Sequence, residues 1–342
     1  MTAPEAASAA PEAAEGPWFD ELAVGDRFVG APGVTLTSGH AAAHQAVLGD
    51  RLRLPLDTPL AEAVAGAGPL AHPALVWDVA IGQSTLVTHH VRANLFYRGL
   101  AFHRFPLIGD TLRTSTEVVG LRENRRRPGR APTGLAALRI TTADQHGRPV
   151  LDFWRCAMLP WRLPLRDPDR ETHHRDDLDA LGGPPAATSA LDGWRLDQFR
   201  EQIPGEHFEA MRVGHVWRVV GADVVSSAPE LARLTVNIAM AHHDEAAAGG
   251  RRLVYGGHTI GLALAQACRA VPNIVTVINW DGCDHLGPVH EGDALTSEIT
   301  VTSADPLPGG GGLVGLRSLV QARAGRDEPR PVLDWRFTAA LA

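Results

Sequence analysis

The chain has 342 residues, 44% of them hydrophobic, and a formal net charge of −7, so it can bury a sizeable core and exceeds the usual size of one compact domain. Its basic residues are scattered, with one short run at Arg125–Arg127, and no nucleic-acid partner is predicted. Three cysteines without CxxC spacing favour buried free thiols in a reducing compartment over a disulfide framework.

The N-terminal residues 1–16 are rich in Ala, Glu and Pro and lack a basic region followed by an apolar stretch. They are predicted to be a disordered tail rather than a signal peptide. No segment reaches the roughly 18 apolar residues that a membrane span needs. The expectation is a cytoplasmic protein without a membrane partner.

Three landmarks occur twice along the chain in the same order, which predicts that the two halves are copies of one unit. The first predicts a turn leading into a strand, the second one long and largely buried helix, and the third a turn that starts an antiparallel strand. The paired segments are Phe19–Gly25 with Phe208–Gly214, Leu70–Trp77 with Leu253–Ile260, and Gly109–Val118 with Gly292–Val301.

Two further strands are predicted in each half, and one helix followed by several antiparallel strands is an α+β pattern. These strands are Gly134–Thr142, Pro149–Leu159, Gly312–Ala322 and Pro331–Ala339. The predicted organisation is an N-terminal domain over 17–161, an exposed linker over 162–204 with room for a short helix, and a C-terminal domain over 205–342.

The residues with the most informative chemistry lie just ahead of the predicted helix of the second half. They are Asn237, His242, His243 and Asp244. An imidazole can take a proton from water near neutral pH, and a neighbouring amide can hold that water. The helix N-terminus near Gly257 offers backbone N–H groups that can polarise a thioester carbonyl. This combination favours hydration chemistry.

Other interpretations of the same residues stay open at this point. His242 is equally compatible with an ordinary core or surface histidine, and Asn237 with a hydrogen-bonding residue at a strand end. A metal site built from His242, His243, Asp244 and His258 has suitable ligand types, although its spacing matches neither a zinc ribbon nor a helical i, i+4 pair.

The repeated architecture and the run Asn237-x-x-x-x-His242-x-Asp244, followed by glycine and an apolar helix, resemble the MaoC-like family of (R)-specific enoyl-thioester hydratases and dehydratases. From Phe19 to the C-terminus the chain resembles the double hot-dog mesaconyl-CoA hydratase (β-methylmalyl-CoA dehydratase) group of that family. The common family motif has aspartate where this chain has Asn237, whereas a related branch of dehydratases carries asparagine.

This resemblance implies a tandem hot-dog fold in which each half is an antiparallel sheet wrapped around one long helix. It implies reversible hydration of a short-chain 2-enoyl-CoA of the mesaconyl type, without a metal or redox cofactor. His242 would be the general acid/base, Asn237 would orient the water, and the amide of Gly257 would hold the thioester oxygen. The predicted substrate-binding residues are Asp244, Tyr255, Gly256, His258, Tyr97 and Arg98.

In the first half, Asp50 stands where the motif would fall and no histidine follows it at the family spacing. That half is therefore predicted to have lost catalysis and to shape the acyl pocket. His40 and His44 are predicted to be ordinary helix-surface or core residues. The segment Asn279–His285 is predicted to be a packed loop, with contact to the substrate as the alternative.

Three other functions remain open from the sequence. They are dehydration of an acyl chain bound to a carrier protein, thioester hydrolysis, and non-catalytic binding of acyl-CoA. The hot-dog fold also makes a homodimer an expectation.

Overall fold

The computed structural model describes residues 13–162, 175–178, 181–182 and 188–342. Most of the predicted N-terminal tail and a large part of the predicted linker lie outside these residues. Within the described part of the chain, no helix is both long and apolar enough to cross a membrane.

In each half two short strands precede a long buried helix, and four long strands follow it, although the first half has two more short helices. The helices are α1 (Ser38–Leu48), α2 (Arg53–Leu56), α3 (Thr58–Ala65), α4 (Pro73–Gln83), α5 (Leu196–Gln202), α6 (Ala228–Leu234) and α7 (Gly256–Ala270). The strands are β1 (Arg27–Phe28), β2 (Val34–Thr35), β3 (Ala93–Phe102), β4 (Thr111–Glu123), β5 (Thr133–Ala143), β6 (Pro149–Pro160), β7 (Val216–Arg218), β8 (Asp223–Val224), β9 (Ile274–His285), β10 (Asp293–Pro306), β11 (Gly312–Ala324) and β12 (Arg330–Leu341). Single 3₁₀ turns lie at Phe19–Glu21, Ser84–Leu86, Thr188–Leu191, Phe208–Ala210 and Met240–His242.

The strands form one antiparallel sheet in the order β1-β4-β5-β6-β3-β9-β12-β11-β10-β7, with β2 paired to β4 and β8 paired to β10. The two halves meet where β3 pairs with β9, from Phe96 opposite Asp284 to Ala101 opposite Asn279. Hydrogen bonding therefore continues from one half into the other, and the predicted α+β class is confirmed.

Each half contributes one long buried helix, as predicted. Every residue of α4 from Pro73 to Gln83 is buried, which is the pattern of a helix enclosed by protein on all sides. Its start is fixed by His72, whose Nδ1 accepts a hydrogen bond from the Ala74 amide at 3.0 Å, and by proline at the first helical position. The equivalent helix α7 is buried from Gly257 to Cys268.

The prediction of a loop over Asn279–His285 is wrong, because these residues form the second half of β9. This strand is central and pairs with β3 on one side and β12 on the other. Its polar residues break the alternation that marks a strand in sequence. Asp284 is tolerated there because Arg98 and Arg336 both form ion pairs with it.

The end of α4 lies against the second-half segment that precedes His242. A Cβ atom added to Gly82 would overlap the carbonyl oxygen of Thr235. The Thr85 hydroxyl accepts a hydrogen bond from the Ile238 amide at 3.0 Å, and the Met240 amide donates to the His89 carbonyl at 3.0 Å. The first half therefore positions a segment that belongs to the second half.

Replacing Gly82 with alanine should displace the Thr235–Ile238 segment, because the backbones approach too closely for a side chain. We expect a loss of about 1–3 kcal/mol in the free energy of unfolding, the usual cost of overpacking a core, measured by urea denaturation. The matched control is Gly39→Ala in α1, where an added Cβ has only an ordinary contact, with the Thr37 hydroxyl at 3.6 Å. Equal stability of the two variants would contradict the proposed close contact.

Candidate active site

A cavity of about 220 Å³ lies where the two halves meet. The end of α4, the strands β3 and β6, the segment around Asn237 and the start of α7 all contribute to its walls. The cavity-lining residues with chemical interest are Asn237, His242, Tyr255, Gly256, Tyr97, Arg155 and His285. Five of the sequence-predicted site residues thus come together in one place.

Asn237 is 2% exposed, and hydrogen bonds fix both its backbone and its side chain. Its backbone N–H donates to the Ala232 carbonyl at 2.9 Å, and its side-chain oxygen accepts a hydrogen bond from the backbone N–H of Ala239 at 3.0 Å. The side-chain nitrogen is buried and has no hydrogen-bond partner among the described residues. Asn237 can therefore act toward a cavity molecule as a donor through this nitrogen.

The residue before it has an unusual backbone. Val236 has φ of +53°, a left-handed conformation that is strained for a β-branched residue. The Thr85–Ile238 hydrogen bond and the close contact at Gly82 lie beside it and hold this conformation. This conformation immediately precedes Asn237, which lines the cavity, and no local sequence signal predicts it.

His242 is nearly buried and has a defined proton position. Its Nδ1 lies 2.8 Å from the Leu253 carbonyl oxygen, which can only accept, so Nδ1 carries the hydrogen and Nε2 has the free lone pair. Burial lowers the pKa of His242 to about 4. The ring is therefore neutral at physiological pH, and its unprotonated nitrogen is available as a base.

The face of α7 that meets the cavity carries Gly256 and Thr259, which are three residues apart and therefore adjacent on a helix surface. A Cβ atom at Gly256 would lie 2.8 Å from the imidazole of His285. Glycine is required there because the strand β9 brings His285 directly against the first turn of the helix. Burial lowers the pKa of His285 to about 4 as well.

Two predicted residues of the same helix turn away from the cavity. A Cβ atom at Gly257 would meet the carboxylate of Asp78 and the ring of Tyr255. His258 is 1% exposed, does not line the cavity, and has no hydrogen-bond partner for either ring nitrogen within the described residues. Successive helical residues are rotated by about 100°, so the helix that presents Gly256 to the cavity directs its two neighbours elsewhere.

Two more predicted substrate-binding residues lie outside the cavity. Asp244 is exposed, and its side chain accepts a hydrogen bond from the Ala246 amide at 2.9 Å, which closes a turn. Arg98 lies beside Tyr97 on β3, and side chains alternate between the two faces of a strand. Its guanidinium pairs with Asp284 at 2.5 Å and stacks over Phe96, so it belongs to the ionic network of the opposite face.

The two predicted tyrosines are aromatic walls rather than free donors. Tyr255 lies edge-on to His242, with ring centroids 5.8 Å apart. Its hydroxyl, the only polar group of the side chain, donates a hydrogen bond to the buried carboxylate of Asp78 at 3.0 Å. Burial raises the pKa of both Tyr97 and Tyr255, so both are neutral.

The first half contains its own buried polar pairs. His44 Nε2 lies 3.1 Å from Asp78, and His72 Nε2 lies 3.0 Å from Asp50. None of these four residues lines the cavity. His44 is a partnered core histidine, as predicted.

Sequence analysis missed Arg155, which lies on β6 and lines the cavity although it is only 3% exposed. The signal was present in the sequence, because arginine interrupts the apolar alternation of a predicted strand. Among the described residues, no group of three or more His, Cys, Asp or Glu side chains is arranged to hold a metal ion. Two of the residues considered as metal ligands use a ring nitrogen for another contact. His242 donates to the Leu253 carbonyl, and His243 donates to the Asn237 carbonyl.

No family model matches the chain. A conserved hypothetical protein from Mycobacterium tuberculosis, described as having a double hot-dog fold, is 57% identical and superposes with a TM-score of 0.88, covering 96% of this chain and 99% of its own. The β-methylmalyl-CoA dehydratase of Chloroflexus aurantiacus is 26% identical over 92% of this chain and 89% of that protein. The mesaconyl-CoA hydratase of Cereibacter sphaeroides is 26% identical over 87% of each chain.

The chain belongs to the same double hot-dog family as the Mycobacterium tuberculosis protein, and it is similar over most of its length to a CoA-thioester dehydratase and a CoA-thioester hydratase. The resemblance inferred from the run around Asn237 and His242 is therefore confirmed at the level of family and fold. The family relationship covers both halves.

Replacing His258 with leucine tests whether this residue is only a buried core group. Burial lowers its pKa to about 4, whereas an unfolded histidine titrates near 6.5. Between these values the unfolded state binds more protons, so stability falls as the pH falls through this window. We expect His258→Leu and wild type to have similar free energies of unfolding at pH 7.5, measured by urea denaturation. On going to pH 5.0 the variant should lose about 2 kcal/mol less of this free energy than wild type.

The control for this measurement is His146→Leu in an exposed turn, which should leave the pH dependence unchanged. His258→Leu should also retain activity. A stable His258→Leu variant with strongly reduced activity would instead support the predicted role of His258 in substrate binding.

Proposed function

We propose that the protein is a hydro-lyase that reversibly adds water to a short-chain 2-enoyl-CoA, with an acyl group of the mesaconyl/β-methylmalyl type. One observation carries the proposal. His242 donates its Nδ1–H to the Leu253 carbonyl, which leaves Nε2 unprotonated, and it lines the same cavity as Asn237, whose side-chain nitrogen has no partner among the described residues. A base and a donor for the same water molecule are thus together.

In the hydration direction, Asn237 donates to the oxygen of a water molecule while His242 Nε2 accepts one of its protons. The hydroxide adds to C3 of the enoyl group, and negative charge moves to the thioester oxygen. Return of the proton from His242 to C2 completes the addition of one water, and dehydration is the reverse.

The negative charge on the thioester oxygen needs stabilisation by the protein. The N-terminus of α7 meets the cavity at Gly256, and the first N–H groups of a helix have no intrahelical acceptor. They and the helix dipole favour an anion at that end. We assign the oxygen to this first turn, with the amide of Gly257 next to that of Gly256.

Thioester hydrolysis is a poorer match to the site. Hydrolysis in this fold would use a carboxylate to activate water, and the cavity-lining residues within the described chain include no Asp or Glu. A pure acyl-CoA-binding protein would need neither the oriented imidazole nor the strained Val236 beside Asn237. Carrier-bound acyl chains remain an alternative form of the same thioester substrate.

Cytoplasmic location and a homodimer stay predictions of this proposal. The sheet ends at β1 on one side and β7 on the other, and these edges have two and three residues. Short edges limit strand pairing between copies, so a dimer would have to use another surface.

His242→Ala should reduce kcat for hydration of mesaconyl-CoA by about 10²–10⁴-fold, the usual contribution of general acid–base catalysis. The assay follows loss of absorbance by the conjugated thioester and, separately, release of free CoA. His146→Ala, a change in an exposed turn, is the matched control and should remain fully active. Release of free CoA by wild type without hydration would instead identify a thioesterase.

The pH dependence of kcat/KM tests the state of His242 in the free enzyme. Because burial lowers its pKa to about 4, the neutral base persists well below pH 6.5, and the rate should fall only as the pH approaches 4. Each sample is returned to pH 7.5 and assayed again, so that loss of folded protein is separated from titration. An acid limb centred near pH 6.5 would mean that His242 behaves as an ordinary exposed histidine.

A further inference from the structure

Arg155 occupies a position in β6 where an apolar residue is expected. Its neighbours on the same face of the strand, Phe153 and Ala157, are fully buried core residues. The guanidinium lies on that inner face and is itself 3% exposed. Arginine is almost never fully buried unless a counter-charge accompanies it.

The contacts of Arg155 are all with neutral groups. One terminal nitrogen donates to the Thr88 hydroxyl at 2.7 Å and to the Ser84 carbonyl at 3.1 Å, and the neutral Tyr97 side chain lies nearby in the same cavity wall. Within the described residues, no Asp or Glu forms an ion pair with Arg155. Within the described part of the chain the buried positive charge therefore lacks a counter-ion, which is a costly arrangement.

The guanidinium also keeps an unused donor. The Nε atom of Arg155 is buried and has no hydrogen-bond partner among the described residues. Guanidinium recognises carboxylates through two parallel N–H groups, and the free Nε–H is suited to such a contact. Burial lowers the pKa of Arg155 from its usual value, but arginine remains charged in proteins.

Arg155 and the proposed catalytic residues share one small space. Arg155, His242 and Asn237 all line the cavity of about 220 Å³, and the charge of Arg155 is near enough to lower the pKa of His242. A space of this size suits a short acyl group. A CoA phosphate would need an exposed cation, whereas this one lies on the inner face of the sheet.

We propose that Arg155 is the specificity-determining residue that binds a carboxylate on the acyl chain of the substrate. This inference rests on the proposed function, since it takes an acyl thioester as the ligand of the cavity. The bound carboxylate neutralises a charge that the protein leaves unpaired, so an acyl chain without one is disfavoured.

The test measures binding of non-reacting thioesters, so that it is independent of hydration. Equilibrium affinities for succinyl-CoA, whose acyl chain ends in a carboxylate, and butyryl-CoA, whose chain does not, are measured by calorimetry. Wild type should bind succinyl-CoA at least about 10-fold more tightly. Arg155→Met should weaken the affinity for succinyl-CoA by about 100-fold, as expected for truncating one partner of a buried charge pair. Its affinity for butyryl-CoA should be equal to or higher than that of wild type.

Two further variants complete the comparison. Arg155→Lys keeps the positive charge without the two parallel N–H groups of a guanidinium. It should retain part of the preference for succinyl-CoA over butyryl-CoA. Arg27→Gln, at an exposed arginine outside the cavity that pairs with Glu117, is the control and should leave both affinities unchanged. The melting temperature of Arg155→Met should equal or exceed that of wild type, because an unpaired buried charge is removed.

Equal weakening of both ligands by Arg155→Met would overturn the proposal and indicate a contact to the CoA moiety. Absence of a succinyl-CoA preference in wild type would also overturn it, and so would failure of Arg155→Met to fold, since that would give the cation a structural role. If the preference is found while mesaconyl-CoA and crotonyl-CoA are not hydrated, the proposed reaction fails and the carboxylate site stands.

Discussion

The contact between α4 and the segment that carries Asn237 is the constraint on which the site depends. At Gly82 the helix has no side chain, and the Thr235 carbonyl occupies the space that a Cβ would need. The next turn then holds the Ile238 amide through the Thr85 hydroxyl. Since one half supplies the support and the other supplies the reactive amide, the two copies of the fold must remain packed together for the site to exist.

The two halves have the same architecture but unequal chemical roles. The second half contributes Asn237 and His242, whereas the first contributes Tyr97 and Arg155. In the first half His72 lies 3.0 Å from Asp50, and Asp78 accepts hydrogen bonds from both His44 and the second-half residue Tyr255. The bond to Asp78 holds Tyr255, which lines the cavity beside the proposed base.

The cavity has an electrostatic character that agrees with this chemistry. Its histidines are neutral at physiological pH, its described lining includes no carboxylate, and one guanidinium lies on the inner face of the sheet. The start of α7 adds the positive end of a helix dipole. Both the developing negative charge on a thioester oxygen and an anionic acyl group would be favoured in such a site.

From periodicity and spacing alone, the sequence predicts the repeat, the helix in each half, most of the strands and the proximity of Asn237 to His242. It did not reveal that Asn279–His285 is a central strand, since strand pairing on both sides, rather than alternation, determines that structure. It also did not reveal which neighbours of Gly256 meet the cavity, because the rotation of α7 depends on how the helix packs against Asp78 and β9. The same holds for Arg155, whose importance comes from the neutral groups that surround its charge, and these come from segments distant in sequence.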